Sequence, residues 1–148
     1  MPTCQLIVST SCTGKKMSVT PKIRIAIAED HPEMRVVLGL LVRFYADLEL
    51  VCEVSNGQEA VDCARSLQPD LLVMDIRMPV LDGLAATKQI RETAPGTKVI
   101  LISSDVGKYM DSKAAGAGAH GYVPKDLLAK DLYRAIRAVH SGDNFFMH

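Results

Sequence analysis

From residue 22 onward, short apolar runs alternate with longer segments in which apolar residues recur every three or four positions. The short runs are typical of buried β-strands, and the longer segments are typical of amphipathic helices. Strict alternation of five strands with five helices predicts an α/β fold, with right-handed crossovers around a parallel sheet that helices cover on both faces. The predicted strands are residues 23–28, 48–55, 70–75, 98–103 and 121–123, and the predicted helices are residues 32–46, 57–68, 84–94, 107–117 and 127–142.

Local signals mark the ends of these helices. Pro32 suits the first turn of the first helix, and Ser55 with Gln58 forms a capping-box pattern at the start of the second. Pro69 follows the second helix, and Gly142 follows the fifth. The boundaries drawn from hydrophobic periodicity therefore agree with the capping residues.

Composition limits the classes of protein to consider. The 148 residues are 48% hydrophobic and 23% charged, as in one globular domain that needs neither a metal nor a disulfide to fold. The formal net charge is zero, so the chain lacks the positive field with which proteins gather nucleic acid, and we do not expect it to bind DNA directly. Its four scattered cysteines include no CxxC pair, which indicates reduced thiols.

The termini and the compartment are also predicted from the sequence. No apolar run approaches the roughly 18 residues that span a bilayer, and the start of the chain lacks the pattern of a secretion signal. We therefore expect a cytoplasmic protein without a membrane partner. Residues 1–21 are predicted to be a poorly ordered tail, and residues 22–142 are predicted to form the folded domain.

Polar side chains stand where four of the predicted strands end. Glu29 and Asp30 follow the first strand, Asp75 ends the third, Ser103 ends the fourth, and Lys125 lies just after the fifth. Because the carboxyl ends of parallel strands meet at one edge of the sheet, where such folds bind ligands, we expect these side chains to lie together. Each alone has an ordinary alternative role as a helix cap or turn residue. Together they predict one functional site.

Charge then suggests the chemistry of this site. Two carboxylates ~4 Å apart repel by about 4 kcal/mol at an effective dielectric of about 20. Lys125 offsets one charge, and a divalent cation offsets the others; oxygen donors without a nearby His or Cys favour Mg²⁺ or Mn²⁺ over zinc. With the charge neutralised, Asp75 is a candidate nucleophile toward a phosphoryl group, and the Ser103 hydroxyl is a candidate donor to a phosphoryl oxygen.

Four motifs carry a resemblance to a known family: "IAEDHP", "LLVMDIRMPVLDG", "VILISS" and "GAHGYVPKD". Over residues 22–142 the chain resembles the receiver domain of two-component response regulators, nearest to the NarL/LuxR-like subclass. The resemblance implies a flavodoxin-like, doubly wound (βα)5 fold with strand order 2-1-3-4-5. It also implies a signalling domain, not an enzyme with its own substrate, that accepts a phosphoryl group from a histidine kinase.

The resemblance assigns a metal site. It implies that Asp75 is the phosphoacceptor, that Glu29 and Asp30 are the acidic pair around Mg²⁺, with Mn²⁺ as a substitute, and that the backbone carbonyl of Arg77 is a further ligand. The Arg77 side chain is then free to vary. Glu29 replaces the commoner Asp, so its carboxylate is expected to reach the metal through water or, after rearrangement, directly.

The resemblance also assigns a switch. Ser103 is expected to move toward the phosphoryl group, Tyr122 to follow it toward a buried rotamer, and Lys125 to pair with the phosphoryl charge. These movements are expected to change the surface of the fourth helix, the fifth strand and the fifth helix. A partner, or a second copy in a homodimer, would then bind differently.

In the NarL/LuxR-like subclass, a linker and a helix-turn-helix domain usually follow the receiver. Residues 143–148 are interpreted as the start of such a linker, and the chain as part of a longer transcription regulator in preference to a stand-alone receiver. DNA binding would then belong to the effector domain, which this sequence lacks.

Two alternatives were weighed against this interpretation. A phosphatase of the haloacid-dehalogenase type also uses a nucleophilic Asp, but it requires a second Asp two residues later, where this chain has Arg77. A flavodoxin-like module that binds protein without phosphorylation is the other alternative. Incubation with acetyl phosphate and Mg²⁺ distinguishes it from a receiver.

Overall fold

The computed structural model describes residues 21–105 and 108–146, so all but the last residue of the predicted tail, residues 1–21, lie outside the described residues. Strands and helices alternate as the hydrophobic pattern predicts. The strands are β1 (Ile23–Ala28), β2 (Leu48–Val54), β3 (Leu71–Asp75), β4 (Lys98–Ser103) and β5 (Gly121–Pro124). The helices are α1 (Pro32–Arg43), α2 (Gly57–Leu67), α3 (Gly83–Thr93), α4 (Lys108–Ala117) and α5 (Leu128–His140), with a short 3₁₀ turn at Lys125–Leu127.

The five strands form one parallel sheet in the order β2-β1-β3-β4-β5, which confirms the predicted α/β fold and strand order. In the register of the sheet, Asp75 lies beside Ile102, and Ser103 lies beside Pro124. The carboxyl ends of β3, β4 and β5 therefore stand at the same level. No helix among the described residues has the length and apolar character that a membrane crossing requires.

Side chains from the central strands point alternately to two cores, as the period of two in a β-strand requires. One face packs against α2, α3 and α4, and the other packs against α1 and α5. Residues of the first core include Ala26, Leu72, Met74, Ala86 and Leu101. Residues of the second core include Ile25, Leu38, Val73, Ile100 and Ile136.

The start of α2 corrects the predicted capping box by one residue. Its N-cap is Asn56, whose side-chain oxygen accepts a hydrogen bond of 2.9 Å from the backbone N–H of Glu59. The Glu59 carboxylate in turn accepts hydrogen bonds from the backbone and the hydroxyl of Ser55. The cap therefore involves three residues: Asn56 accepts from the Glu59 N–H, and Glu59 reaches back to Ser55, whereas the prediction paired Ser55 with Gln58.

Two positions in the connection from β3 to α3 restrict which side chain can stand there. Val80 has φ +72°, and the N–H of Leu81 donates a 2.7 Å hydrogen bond to the carbonyl of Pro79, which together define a γ-turn. A Cβ on Gly83 would lie 2.3 Å from the backbone oxygen of Asp75, so only glycine fits there. This tight turn holds the end of β3 against the start of α3.

The segment after α5 packs on the exposed edge of the sheet. The N–H of Phe145 donates to the carbonyl of His120, and the carbonyl of Phe145 accepts from the N–H of Tyr122, both at 2.9 Å. A Cβ on Gly121 would lie only 3.0 Å from the Phe145 oxygen. The described part of the predicted linker, residues 143–146, therefore begins as a short partner of β5, a contact that the hydrophobic pattern did not predict.

Candidate functional site

The carboxyl edge of the sheet brings the predicted polar residues together. Glu29 and Asp30 follow β1, Asp75 ends β3, Ser103 ends β4, and Lys125 opens the turn after β5. Glu29, Asp75 and Ser103 are buried, although each carries a polar side chain. Burial of unpaired polar groups is unfavourable, and each of these has a partner: Glu29 and Asp75 contact the Lys125 ammonium, and the Ser103 hydroxyl accepts from the Asp105 N–H.

Lys125 is the basic centre of this cluster. Its ammonium lies 3.0 Å from Oε1 of Glu29 and 3.3 Å from Oδ2 of Asp75, and its side chain is only 12% exposed. Burial lowers the pKa of Lys125, but contact with Glu29 and the charge of Asp75 outweigh it, so the pKa lies above its usual range. The amine is therefore held as a cation between the two carboxylates.

For Asp75, burial outweighs the contacts that favour the charged form. Burial, and then the negative charge of Glu29, raise the pKa of its carboxyl above the usual range, while Lys125 and a hydrogen bond from the backbone N–H of Arg77 act against this. The carboxylate is thus incompletely neutralised by the chain itself. Such a group is stabilised by any further positive charge that enters the site.

The acidic cluster fits a hard divalent cation. Glu29, Asp30, His31 and Asp75 offer ligand atoms that all lie within 4.8 Å of one another. Oδ1 of Asp30 is buried, yet it accepts no hydrogen bond within the described part of the chain. Because Oε1 of Glu29 faces Lys125 and its Oε2 accepts from the backbone N–H of His31, Asp30 and Asp75 are the carboxylates with the most freedom to bind Mg²⁺ or Mn²⁺.

His31 is a site residue that the sequence analysis missed, since it counted no histidine near the acids. Its Nδ1 lies 3.2 Å from Oε2 of Glu29 and 3.4 Å from Oδ1 of Asp30. The signal was present, because His31 directly follows the acidic pair. The donor set is therefore not limited to oxygen.

A cavity of about 190 Å³ opens beside these groups. At about 30 Å³ for each water in the liquid, this is room for a phosphoryl group with several waters. Its walls combine the predicted site residues Asp75, Arg77, Ser103 and Lys125 with residues that were not assigned to the site. The lining residues are His31, Asp75, Arg77, Ser103, Ser104, Asp105 and Lys125.

Asp105 connects the predicted switch residues. Its backbone N–H donates a 3.0 Å hydrogen bond to the hydroxyl of Ser103, and its carbonyl accepts from the hydroxyl of Tyr122. Tyr122 is 1% exposed, so its ring occupies the buried rotamer in this conformation. Burial accordingly raises the pKa of the Tyr122 phenol. Asp105 thus couples three parts of the fold: the end of β4, the connection from β4 to α4, and β5.

The Arg77 side chain makes a contact that the sequence did not predict. Its guanidinium forms an ion pair with the carboxylate of Asp105 at the cavity. Arg77 lies two positions after Asp75, the end of β3, and Asp105 lies two positions after Ser103, the end of β4. Hydrophobic periodicity carries no information about such a contact across two loops.

With this geometry established, comparison with known proteins gives the family. The model of the response regulator receiver domain matches residues 25–137, which is most of the chain. The chain belongs to the response regulator receiver domain family. A receiver domain is a signalling domain of two-component systems, which sets this chain apart from the phosphatases considered above.

Named relatives of this receiver are NarL- and LuxR-type regulators. The transcriptional regulatory protein LnrK of Bacillus subtilis is 37% identical over 120 residues, which are 81% of this chain and 54% of LnrK. The response regulator protein VraR of Staphylococcus aureus is 33% identical over 124 residues, which are 84% of this chain and 59% of VraR. The receiver therefore spans between half and three fifths of the length of these relatives.

Solved structures agree with the fold. The signal receiver domain of the response regulator NarL from Mycobacterium tuberculosis superposes with a TM-score of 0.79 at 26% identity, covering 83% of this chain and 99% of that one. A LuxR-family two-component response regulator from Aurantimonas superposes with a TM-score of 0.80 at 31% identity, covering 84% and 89%. Both place this receiver among those of the NarL/LuxR type.

Proposed function

We propose that this receiver accepts a phosphoryl group from a histidine kinase on Asp75 and thereby changes the surface that it presents to an output partner. The observation that carries the proposal is the position of Asp75. This buried carboxylate lies 3.3 Å from the Lys125 ammonium, on a cavity of about 190 Å³, and near Oδ1 of Asp30, which accepts no hydrogen bond in the described part of the chain. The proposed nucleophile Asp75 and the cation Lys125 line the same cavity, which supports this assignment.

In the proposed transfer, a carboxylate oxygen of Asp75 forms a bond to phosphorus while the bond from phosphorus to the donor's leaving group breaks. Lys125 stabilises the negative charge that gathers on the phosphoryl oxygens, and the Ser103 hydroxyl donates to one of them. Glu29, Asp30, Asp75 and the carbonyl of Arg77 would hold Mg²⁺, which supplies further charge neutralisation when bound.

The proposed output depends on the contacts of Asp105. The Ser103 oxygen accepts a hydrogen bond from the Asp105 N–H, which leaves the Ser103 O–H free to donate to a phosphoryl oxygen. Movement of Ser103 toward a phosphoryl group would therefore act on Asp105 through this bond. Because the Asp105 carbonyl also accepts from Tyr122, the movement would bias the surface of α4, β5 and α5. Residues 143–148 would lead from this surface to a linker and a DNA-binding effector, as in a transcription regulator.

Incubation with Mg²⁺ and acetyl phosphate, followed by intact mass spectrometry, tests the proposal. We expect the mass of one added phosphoryl group, which disappears in Asp75→Asn and when EDTA replaces Mg²⁺. Asp62→Asn is the matched control, because Asp62 is an exposed aspartate on α2, away from the cavity, and its side chain accepts a hydrogen bond from Gln58. Absence of the added mass in the wild type would favour the module that binds protein without phosphorylation.

A further inference from the structure

The segment after α5 lies along the outer edge of β5 and extends the sheet by one parallel bridge. Gly121 and Phe145 are the two residues paired in this bridge. The N–H of Phe145 donates to the carbonyl of His120, and the N–H of Tyr122 donates to the carbonyl of Phe145, both at 2.9 Å. The chain itself therefore covers backbone groups that an edge strand would otherwise present to water.

Two adjacent aromatic side chains add to these backbone contacts. Phe145 packs against the core on the side of α1 and α5, where its ring centroid lies 5.8 Å from the guanidinium carbon of Arg134. Phe146 packs against the other core, on the side of α2, α3 and α4. Successive residues of an extended segment point to opposite faces of a sheet, so one short segment reaches both cores. We call residues 143–146 the C-terminal strap.

Gly121 sets how closely the C-terminal strap approaches β5. A Cβ at this position would lie 3.0 Å from the carbonyl oxygen of Phe145 and 3.4 Å from its Cβ. The nearest core atom, on Ile100, would be at 3.5 Å, which is an ordinary van der Waals contact. A side chain at residue 121 would therefore push the strap outward and hardly disturb the core.

Tyr122 connects the C-terminal strap with the proposed switch. Its backbone N–H donates to the carbonyl of Phe145, and its hydroxyl donates to the carbonyl of Asp105. Its ring belongs to the core cluster against which Phe146 packs. One residue thus contacts the strap through its backbone and the loop after β4 through its side chain.

We propose that docking of the C-terminal strap on β5 stabilises the buried rotamer of Tyr122, so that strap docking and phosphorylation of Asp75 favour each other. An aromatic side chain on an edge strand either enters the core or turns outward over the open edge. While Phe146 packs at this edge, the outward position of the Tyr122 ring is obstructed. The coupling to phosphorylation rests on the function proposed for Asp75, whereas the effect on Tyr122 does not.

Amide hydrogen exchange measures strap docking. The amides of Tyr122 and Phe145 donate the two backbone bonds, so both should be protected in the wild type. Gly121→Ala should speed exchange at both amides at least tenfold. Gly96→Ala is the matched control, because a Cβ at residue 96 would have no neighbour within 4 Å, and its exchange should equal that of the wild type. Equal exchange at Phe145 in the wild type and in Gly121→Ala would overturn the proposal.

The rotamer of Tyr122 is measured directly by NMR. Three-bond couplings from its ring carbon Cγ to its own backbone N and C′ give the population of each χ1 rotamer. We expect one rotamer in the wild type and in Gly96→Ala, and a mixture in Gly121→Ala. A chain shortened to end at Gly142 lacks the strap but keeps every core residue of the sheet and helices, and it should show the same mixture. A single Tyr122 rotamer in the shortened chain would overturn the proposal.

Beryllofluoride, a stable mimic of the phosphoryl group on an aspartate, tests the coupling. In the presence of Mg²⁺, loss of the strap should weaken beryllofluoride binding at least threefold. By reciprocity, beryllofluoride should slow exchange of the Phe145 amide in the wild type by a similar factor. Equal binding to the wild type and the shortened chain would overturn the coupling.

Failure of the strap proposal and failure of the function proposed for Asp75 give different results. A wild type that binds no beryllofluoride and gains no mass from acetyl phosphate would overturn the function of Asp75 and, with it, the coupling. The Tyr122 rotamer in the shortened chain requires no phosphoryl group, so it decides the effect of the strap in either case.

Discussion

The guanidinium of Arg77 pairs with the carboxylate of Asp105 at the cavity that Asp75 and Lys125 line. Asp105 also contacts Ser103 and Tyr122 through its backbone. The ion pair therefore joins the loop after the proposed phosphoacceptor to the loop after β4. The backbone of that second loop is hydrogen-bonded to both proposed switch residues. A phosphoryl group on Asp75 would compete with Asp105 for the same guanidinium.

The first prediction concerns this competition. Arg77→Ala removes a cation that can approach the incoming phosphoryl group, so labelling by acetyl phosphate should slow about threefold to tenfold, consistent with about 1 kcal/mol of electrostatic stabilisation. Asp105→Asn frees Arg77 and should leave labelling unchanged or faster. The rates are read from a time course of intact mass.

Arg77→Lys is the matched control, because it retains the charge without the planar guanidinium. The melting temperature should hardly change in any of these variants, since an exposed ion pair contributes only about 0–1 kcal/mol to stability. Equal slowing by Arg77→Ala and Asp105→Asn would show that the pair itself, not the free cation, matters.

The second prediction uses the raised pKa of Asp75. Burial and the charge of Glu29 disfavour the ionised carboxyl, so its folded pKa exceeds the unfolded value and ionisation destabilises the fold. Asp75→Asn should therefore increase the free energy of unfolding at pH 7 by an amount on the order of 1 kcal/mol, because Lys125 already offsets most of the repulsion. Urea denaturation without divalent cations measures it.

The pH dependence supplies the check on that explanation. The folded wild type binds more protons at Asp75 than the unfolded chain, so the stability that Asp75→Asn gains should shrink as the pH falls toward the ordinary range of an aspartate, about 4. A gain that is constant from pH 7 down to pH 4 would point to better packing of the amide instead.

Much of this site was accessible from sequence for a physical reason. A buried parallel strand shows as a continuous apolar run, so the position at which Asp75 or Ser103 interrupts that run also marks the edge of the sheet. The alternation of elements followed from the same pattern, and the strand order followed from the family resemblance alone. The polar exceptions were therefore informative because the strands around them were so apolar.

Other features depended on contacts that no local pattern encodes. The Arg77–Asp105 pair joins positions 28 residues apart, in two different loops. The shift of the capping box arose because Ser55 and Asn56 are adjacent and both suit an N-cap, and the position of Glu59 favours the second. The edge contact of Phe145 needs only backbone groups, so side-chain periodicity gives no sign of it.

The third prediction concerns His120, at the opposite edge of the sheet from Asp75. Its Nδ1 accepts a 3.1 Å hydrogen bond from the backbone N–H of Val99. Burial, and then the charges of Arg91 and Lys98, lower the pKa of this imidazole. The folded state thus favours the neutral ring, and the unfolded chain binds more protons below about pH 6.5.

Stability should consequently fall as the pH decreases below about 6.5, beyond what the carboxylates contribute. His120→Asn retains an acceptor near the position of Nδ1 and cannot be protonated, so its unfolding free energy should change less between pH 7 and pH 5. His140→Asn, at the exposed end of α5, is the matched control and should behave like the wild type. Parallel pH profiles for wild type and His120→Asn would contradict the assignment.

The fourth prediction concerns the strained γ-turn beside the site. Val80 has φ +72° and is 79% exposed, so its branched side chain occupies an unfavourable backbone region without compensating burial. Relief of such strain contributes about 1–3 kcal/mol, and the added freedom of glycine in the unfolded chain removes about 0.5–1 kcal/mol of it. Val80→Gly should therefore stabilise the domain by about 1 kcal/mol in urea denaturation. Val80→Ala shortens the side chain but retains the Cβ that causes the strain, so it should gain far less stability. Equal gains from both variants would mean that the exposure of the valine side chain, and not its backbone conformation, limits stability.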